Sequence, residues 1–279
     1  MSTQNDQIPQ VDTRDIPGFM KTVQGLAMQG TALFRGQRHQ WKLKPKIGRL
    51  TPRNGTILET EKRILADFKR KSVPLLPCTP ANDLEWLALA QHHGLATRLM
   101  DWSENPLAAL WFAVRNSPEN VDDVLQPGVV WCLKVPEDRI LPREPPHEIE
   151  MDVFEAKKSM VYRPRHISPR IAAQAGWFTV HHYETKSERF GAFEWHPIFK
   201  GNLTKINIAG QYFATFRKAL GSMGINNATL FPDLVGVCDQ IEREHSLLDD
   251  EVAQKQATAK LPQRKLVISR KSAKKAVGQ

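Results

Sequence analysis

Hydrophobic residues recur at helical spacing in several segments of the chain. In residues 56–71 they fall on one stripe, and Thr56 with Glu59 fits a capping box, so an amphipathic helix is predicted. Residues 82–94 are apolar on nearly every side, which is typical of a buried helix, and Gly94 suits the position after its end. Further helices are predicted at 105–114, at about 210–221 and from 232 to about 245.

Short β-compatible runs bounded by glycine or proline lie between these helices. They predict strands at 31–36, 95–102, 128–135, 170–181 and 203–208. The prolines and charges of residues 136–168 indicate an irregular excursion. Because strands and helices interleave without regular β-α-β alternation, we expect an α+β fold with a largely antiparallel mixed sheet flanked by helices.

The 279 residues suffice for one large domain or two small ones, and 41 % of them are hydrophobic. The pattern favours an N-terminal arm at 1–28, one domain at 29–250 and a tail at 251–279. We see no run of roughly 18–20 apolar residues that would span a membrane. The polar start MSTQNDQIPQ does not resemble a secretory signal, so we expect a cytoplasmic protein that does not contact a membrane.

The positive charge of the chain is concentrated at its C-terminal end. The formal net charge is +9, but residues 252–279 carry eight lysines and arginines and no carboxylate, which leaves about +1 for residues 1–251. This end is either a handle for nucleic acid or another polyanion, or a solvated and flexible terminus. The sequence leaves the oligomeric state open.

The three cysteines predict neither a disulfide framework nor a metal site. Cys78, Cys132 and Cys238 are odd in number, far apart and without CxxC spacing, which indicates reduced thiols. Adjacent histidines such as His92 and His93 point about 100° apart on a helix, so they are poorly placed to bind one ion together. We therefore expect no metal.

A cluster of polar side chains interrupts apolar sequence at 90–102 (AQHHGLATRLMDW). Each residue has two interpretations. His93 is either a hydrogen-bonded core residue or, with His92, a catalytic group at a helix end. Arg98 either pairs with a buried carboxylate elsewhere or forms a fork that binds a phosphate or carboxylate. Asp101 either caps the next helix or faces a ligand.

Two other segments combine arginine or glutamine with small residues. Arg35 ends an apolar strand and is followed by Gly36 and Gln37, a pattern that suits anion recognition. In residues 170–178 (RIAAQAGWF), Arg170 and Gln174 flank small residues, which permit close approach of a ligand or of a neighbouring strand. The alternative for residues 170–178 is tight packing, with Gln174 bonded to the backbone.

Taken together these motifs resemble one family. The similar segments are 34–36 (FRG), 90–94 (AQHHG), 97–102 (TRLMDW), 105–106 (NP) with Ala113, 170–178, and 230–236 (LFPDLVG). In this order they resemble the FRG domain family over about residues 31–241. Met100 and Ser103 depart from the leucine and threonine expected there. The family is named for a motif, so the resemblance indicates identity more than activity.

A more distant resemblance is to ADP-ribosyltransferases of the Arg-Ser-Glu type. Residues 34–36 are similar to the aromatic-Arg-Gly of their first core strand, and residues 96–98 followed by 108–113 to their later polar strand and helix. The resemblance implies an ADP-ribosyltransferase-like fold that uses NAD. It assigns NAD binding to Arg35, Gly36, Gln37, Thr97 and Gln174, and catalysis to His92, His93, Arg98 and Asp101.

The chain departs from that pattern at its carboxylates. It has no Ser-Thr-Ser and no Glu-x-Glu or Gln-x-Glu on a late strand. The alternatives are Glu155, Glu184, Glu188 and Glu194. Asp101 would serve if the strand turned its side chain towards Arg35, where it would stabilise the positive charge that develops on a ribose.

Three functions remain open. The first is an ADP-ribosyltransferase-like toxin or effector of bacterial or phage conflict, with a protein or nucleic-acid acceptor. The second is a nucleic-acid binder, or a nuclease using His92 or His93. The third is a structural module whose polar cluster fixes the core. The discriminating feature is whether Arg35, the histidines, Arg98 and Gln174 converge on one open cleft.

Overall fold

A seven-stranded sheet forms the centre of the structure, a computed structural model that describes residues 7–28, 30–76, 78–142, 152–165 and 169–259. The strands are β1 Gln10–Thr13, β2 Ala32–Gln37, β3 Leu99–Ser103, β4 Asn120–Val121, β5 Val124–Leu125, β6 Gly128–Lys134, β7 Met160–Tyr162, β8 Gly176–Val180, β9 Tyr183–Glu184, β10 Arg189–Phe190 and β11 Leu203–Ile208. The sheet order is β1-β11-β6-β2-β3-β8-β7; β4 pairs with β5, and β9 with β10. Neighbours run antiparallel except β1, which is parallel to β11.

Helices cover this sheet. They are α1 Ile16–Ala27, α2 Ile57–Ser72, α3 Asp83–His92, α4 Pro106–Val114, α5 Pro169–Ala173, α6 Pro197–Lys200, α7 Phe213–Ser222, α8 Asn227–Leu230, α9 Leu234–His245 and α10 Asp249–Ala259. The predicted α+β fold with a mixed, largely antiparallel sheet is confirmed. Among the described residues, no helix combines the length and apolar character needed to cross a membrane.

The core lies on both faces of the sheet. Adjacent residues of β2 point to opposite faces: Phe34 packs with α1, α4 and α7, whereas Leu33 packs with Leu43, Met100 and other residues of the second face. A further cluster joins α2 and α3 to β3 and β8. The central strands are therefore buried on both sides.

The first three predicted helices form with the expected ends. Thr56 and Glu59 make both bonds of the capping box that begins α2. Asn82 accepts from the Glu85 amide at the start of α3, and Gly94 follows its end with a φ of 80°. Local capping therefore decides where these helices begin and end.

Two predicted strands differ from the structure. Residues 95–98 lie outside β3, because the Arg98 amide donates to the Glu61 carboxylate and the Thr97 carbonyl accepts from Ile47 instead of from a neighbouring strand. Residues 169–173 form the short helix α5, and β8 begins only at Gly176. The alternation expected across 95–102 therefore fails for its first half.

The segments expected as an N-terminal arm and as a tail both contain regular structure. The segment expected as an arm supplies β1 to the sheet, and α1 buries Phe19 and Val23 in the core. At the other end, the tail predicted from residue 251 begins inside α10, which Arg217 holds by bonds to Asp250 and Glu251. Residues 260–279 lie outside the described residues.

Candidate active site

A cleft of about 250 Å³ opens where β2, β3 and β8 meet the end of α3, the helices α4 and α5, and Phe231 between α8 and α9. Its lining includes residues that the sequence singled out, namely Arg35, Gly36, Gln91, His92, Asp101, Arg170 and Gln174. Convergence of this kind is the feature that separates a binding or catalytic site from a merely structural cluster.

Two adjacent strands and a closely packed helix form the floor of the cleft. Phe34 of β2 lies opposite Ser103 of β3, which places Arg35 near Asp101. Gly36 permits α4 to approach, because a Cβ there would lie 1.8 Å from the Ala109 carbonyl oxygen. The glycine of the Phe-Arg-Gly motif is thus required for packing, and the arginine is left at the cleft.

Arg35 and Asp101 form the charged pair of the cleft. Nη1 of Arg35 donates to the Asp101 carbonyl oxygen at 2.7 Å and lies 3.4 Å from the Asp101 carboxylate. The Arg35 side chain is 19 % exposed and that of Asp101 is 53 % exposed. The cation is therefore held by the protein, while the carboxylate remains open to a ligand.

A short hydrogen-bonded chain orients this carboxylate. The Gln91 side-chain amide donates to both Asp101 oxygens, at 3.3 and 3.2 Å, and its own oxygen accepts from the Thr97 hydroxyl at 2.8 Å. Thr97 also accepts from the Leu99 amide and is almost fully buried. Thr97 was expected to line the pocket; in the structure it acts behind the cleft, through Gln91.

His92 and His93 have different positions although they are adjacent. His92 is half-buried and lines the cleft; burial, and then the charges of His93 and Arg170, lower its pKa to about 4. At neutral pH its imidazole is uncharged and has one nitrogen free to accept a proton. His93 follows α3, is exposed and does not line the cleft, so neither its predicted catalytic role nor a core role fits.

Arg98, for which a catalytic role was predicted, is buried and does not line the cleft. Its guanidinium is fully buried and binds the buried Glu61 carboxylate with Nη2–Oε2 at 2.7 Å and Nε–Oε2 at 3.1 Å. Nη1 donates to the Val153 carbonyl, and the rings of Phe154 and Phe190 lie 4.8 and 5.5 Å away. Arg98 therefore forms a structural ion pair with a buried carboxylate, which is the first of the two interpretations given for it above.

Gln37 is also removed from the site. Its side chain is buried at the end of β2, where its oxygen accepts from the Trp131 indole at 3.0 Å. The side chains of Arg35 and Gln37 point to the same face of β2. At Gln37, however, that face is covered by the hydrophobic cluster that contains Trp131. Gln37, for which an NAD contact was predicted, therefore lies outside the cleft.

Gln174 and Arg170 line the wall opposite Asp101. Gln174 donates to the Leu230 carbonyl at 3.0 Å, which ties the turn before β8 to α8. Arg170 donates to Asp233 at 2.7 Å and lies 4.5 Å from the Phe231 ring centroid. Asp233 in turn caps α9 by accepting from Gly236, so the arginine is fixed at the rim.

Arg170, Phe231 and Asp233 were not assigned to the site from the sequence. They lie far from the central motif along the chain: the sequence signals Arg170 by its place beside small residues in 170–178, and Phe231 and Asp233 only by the resemblance of residues 230–236 to one family. Phe112 and Phe231, with ring centroids 5.9 Å apart, add a half-buried aromatic wall to the cleft. Such a wall suits a planar ring.

The two arginines of the cleft retain unused bonding capacity. Within the described residues, Nε of Arg35 and Nε of Arg170 are buried without a hydrogen-bond partner. A buried donor left unsatisfied costs on the order of 1–3 kcal/mol, and such groups concentrate where a ligand completes the bonding. Two guanidiniums around one cleft favour an anion.

The glutamates expected as alternatives to Asp101 lie outside the cleft. Glu184 lines a different cavity, and Glu194 accepts from the Leu43 amide. Glu155 and Glu188 do not line the cleft either. In the part of the chain that the structure describes, no three His, Cys, Asp or Glu side chains are arranged to bind a metal ion.

Comparison with known proteins identifies one domain. Residues 30–122 match the family model of the FRG domain, which includes β2, α3, β3 and α4. The suspected family resemblance is therefore confirmed for this part of the chain. No curated protein and no solved structure matches the chain. Arg170, Gln174 and Phe231 lie beyond the matched residues but line the same cleft.

Proposed function

The chain contains an FRG domain, and on that premise we propose that its cleft binds NAD and cleaves the nicotinamide–ribose bond, as ADP-ribosyltransferases do. The observation that carries the proposal is the convergence of Arg35, Asp101, His92, Arg170 and Gln174 on one open cleft. The resemblance of residues 34–36 to the first core strand of those transferases adds to it.

The diphosphate, one base and one ribose of the dinucleotide would each meet suitable groups in the cleft. The diphosphate carries two negative charges, and the guanidiniums of Arg35 and Arg170 supply two positive ones with buried donors to spare. The aromatic wall of Phe112 and Phe231 offers a surface for a flat base. With the diphosphate at the two arginines and a base at the aromatic wall, the ribose between them would lie nearest to Asp101.

Bond cleavage would place positive charge beside Asp101. As C1′ of the ribose separates from the ring nitrogen, the bonding electron pair leaves with nicotinamide and the ribose becomes an oxocarbenium ion. Asp101, open to the cleft and oriented by Gln91, would stabilise that charge. An acceptor hydroxyl, amine or water would then bond to C1′, and the neutral His92 would accept the proton it loses.

Nicotinamide release tests this proposal. Purified protein incubated with NAD and cell lysate should release nicotinamide, measured by chromatography, and transfer label from NAD to an acceptor. Asp101→Asn should slow release by about 100-fold, the usual loss when one charge-stabilising group is removed from a site. Asp67→Asn, which removes an exposed carboxylate of α2, is the matched control and should leave the rate unchanged.

Two results would count against this proposal. If the protein neither binds NAD by calorimetry nor releases nicotinamide with any acceptor, the proposal is wrong. Retention of full activity in Asp101→Asn would instead remove Asp101 from the mechanism. Consumption of cellular NAD would suit a toxin or effector in conflict between bacteria and phage. Expression in a host should then be harmful, and Asp101→Asn should relieve the harm.

A second candidate function rests on the charge of the C-terminal end. Eight basic residues without a carboxylate in 252–279 favour binding of nucleic acid or another polyanion. Deleting residues 260–279 removes seven of these charges and should weaken binding to duplex DNA or RNA in a mobility assay. Affinity should also fall steeply with salt. Equal binding by the truncated protein would refute this role.

A further inference from the structure

A second cavity, of about 370 Å³, lies apart from the cleft. Residues 42–44, the segment after β8, the strand β10 and the loop leading into α6 surround it, and it shares no lining residue with the cleft. The two cavities lie near opposite ends of β8: Gly176 borders the cleft, and His181 borders the second cavity. Nothing in the proposed NAD chemistry uses it.

Positive charge dominates its lining. Lys42, Lys44 and Arg189 contribute three cations, and Glu184 is the carboxylate among them. That carboxylate is already engaged, because it accepts from the Ser187 hydroxyl at 2.7 Å and lies 3.5 Å from Nε of Arg189. An anion entering the cavity would therefore meet ammonium groups that this glutamate does not neutralise.

The ammonium group of Lys42 is held at the rim. Its Nζ lies 4.3 Å from the centroid of the Trp195 ring, and Trp195 is 60 % exposed. A cation–π contact of this kind restricts the lysine without cancelling its charge. The tryptophan is one of the most exposed large aromatic side chains of the described residues, and this contact gives it a role.

Two imidazoles also belong to the lining, those of His181 and His196. Nδ1 of His196 accepts from the Ile198 amide at 3.3 Å, so the proton of the neutral ring is on Nε2. Nε2 of His181 shares a hydrogen bond of 3.1 Å with the Thr179 hydroxyl. The neutral ring of His196 therefore carries an N–H donor that its bond to Ile198 does not use.

From these features we propose that the second cavity is a binding site for a phosphate-type oxyanion, free or carried by a small molecule. Phosphate oxygens only accept hydrogen bonds, and this lining offers the ammonium groups, the guanidinium and the imidazole N–H donor that such oxygens require. The site is independent of the NAD proposal, because it uses other residues on another part of the fold.

Calorimetry with two probes tests the site. Inorganic pyrophosphate and AMP are titrated separately at low ionic strength into the full-length protein and into Arg35→Gln, in which the cleft lacks one of its two arginines, and at least one probe should bind Arg35→Gln with a stoichiometry of one. Tighter binding of AMP assigns a nucleotide, and tighter binding of pyrophosphate assigns a free anion. The double variant Lys42→Gln, Arg189→Gln should weaken the tighter probe at least about tenfold, because it removes two of the three cations.

Matched variants separate this site from the cleft and from general charge effects. Lys62→Gln with Lys71→Gln removes the same charge from exposed positions of α2 and should not change the affinity. Probe binding that persists in Arg35→Gln, which removes a cation of the cleft, belongs to the second cavity. Far-UV circular dichroism confirms that each variant is folded. The proposal is overturned if neither probe binds, if Arg35→Gln abolishes binding, or if both double variants weaken it equally.

Discussion

Three arginines of this chain show how strongly environment decides the role of a residue type. Arg98 is fully buried against Glu61 and fixes the core. Arg35 is mostly buried but lies at the cleft, beside an open carboxylate. Arg170 lies at the rim, over the Phe231 ring. The difference lies in the partner, since a buried carboxylate consumes the donors of Arg98, whereas Arg35 and Arg170 each retain one.

Replacing Arg98 tests its structural role. In Arg98→Met the Glu61 carboxylate, 1 % exposed, loses its charged partner in the interior. We expect the free energy of unfolding in urea to fall by about 3–5 kcal/mol. The double variant Glu61→Leu, Arg98→Met should recover much of this loss, because it removes the unpaired charge as well.

The control for this prediction is Arg63→Met on the same helix as Glu61. Arg63 donates to the Asn54 carbonyl and to Thr60 near the surface, so its loss should cost less than about 1 kcal/mol. A result in which Arg98→Met keeps full stability but loses NAD turnover would contradict the structural assignment and return Arg98 to the active site.

At the scale of elements, the contact between β2 and α4 shapes the cleft. In Gly36→Ala the new Cβ would meet the Ala109 carbonyl oxygen at 1.8 Å and the Ala113 amide nitrogen at 2.8 Å. Backbone atoms cannot move aside as the end of a flexible side chain can, so α4 must shift away from β2. We expect a loss of about 1–3 kcal/mol or more in unfolding free energy, together with weaker ligand binding in the cleft.

Gly25→Ala is the matched comparison. Gly25 lies inside α1, is exposed and would have nothing within 4 Å of an added methyl group, so alanine should stabilise the protein by up to about 1 kcal/mol through helix propensity. The melting temperatures of Gly36→Ala and Gly25→Ala, measured by thermal denaturation, test this difference. Equal melting temperatures would show that β2 and α4 are not as tightly packed as the structure has them.

Element boundaries show where local sequence stops being informative. The helices α2, α3 and α4 begin at their capping residues, which can be read from the sequence. Residues 95–98 were expected as strand but are not, because the distant partners Glu61 and Ile47 take their backbone groups. Hydrophobic alternation carries no information about such partners.

On the scale of the whole molecule, buried histidine makes stability depend on pH. Burial, and then the positive charges of Arg35, His196 and Arg98, lower the pKa of His181 from 6.5 to about 3. Well above pH 6.5 this group is neutral in both states and has no effect. As pH falls below about 6.5 the unfolded chain binds a proton that the folded protein does not, so the unfolding free energy decreases until pH approaches 3.

The expected decrease of the unfolding free energy with falling pH is large enough to measure. His181 should contribute a loss of about 2 kcal/mol in unfolding free energy between about pH 7.5 and about pH 5.0. Urea unfolding at the two pH values should show this loss in the wild type, and His181→Gln should show a smaller one. His92, with a pKa of about 4, acts in the same direction and remains in that variant. Identical pH dependence of the two proteins would contradict the burial of His181.

The sequence by itself determined the fold class, the main helices and much of the membership of the central cleft. Capping residues, apolar periodicity and the Phe-Arg-Gly and Ala-Gln-His-His-Gly motifs are local signals, and Arg35, His92 and Asp101 do meet. Only the tertiary structure decided which neighbours are excluded from the cleft. Arg98 lies close to Asp101 along the chain, and Gln37 close to Arg35, yet buried partners take their side chains elsewhere.

Tertiary structure also brought in the residues that sequence left unassigned. Arg170 and Phe231 reach the cleft together because α8 packs against α5, which directly precedes β8, and α5 and α8 are distant along the chain. The physical reason is that local patterns fix backbone conformation and burial, whereas the partner of each polar side chain depends on which distant segments the folded sheet brings into contact.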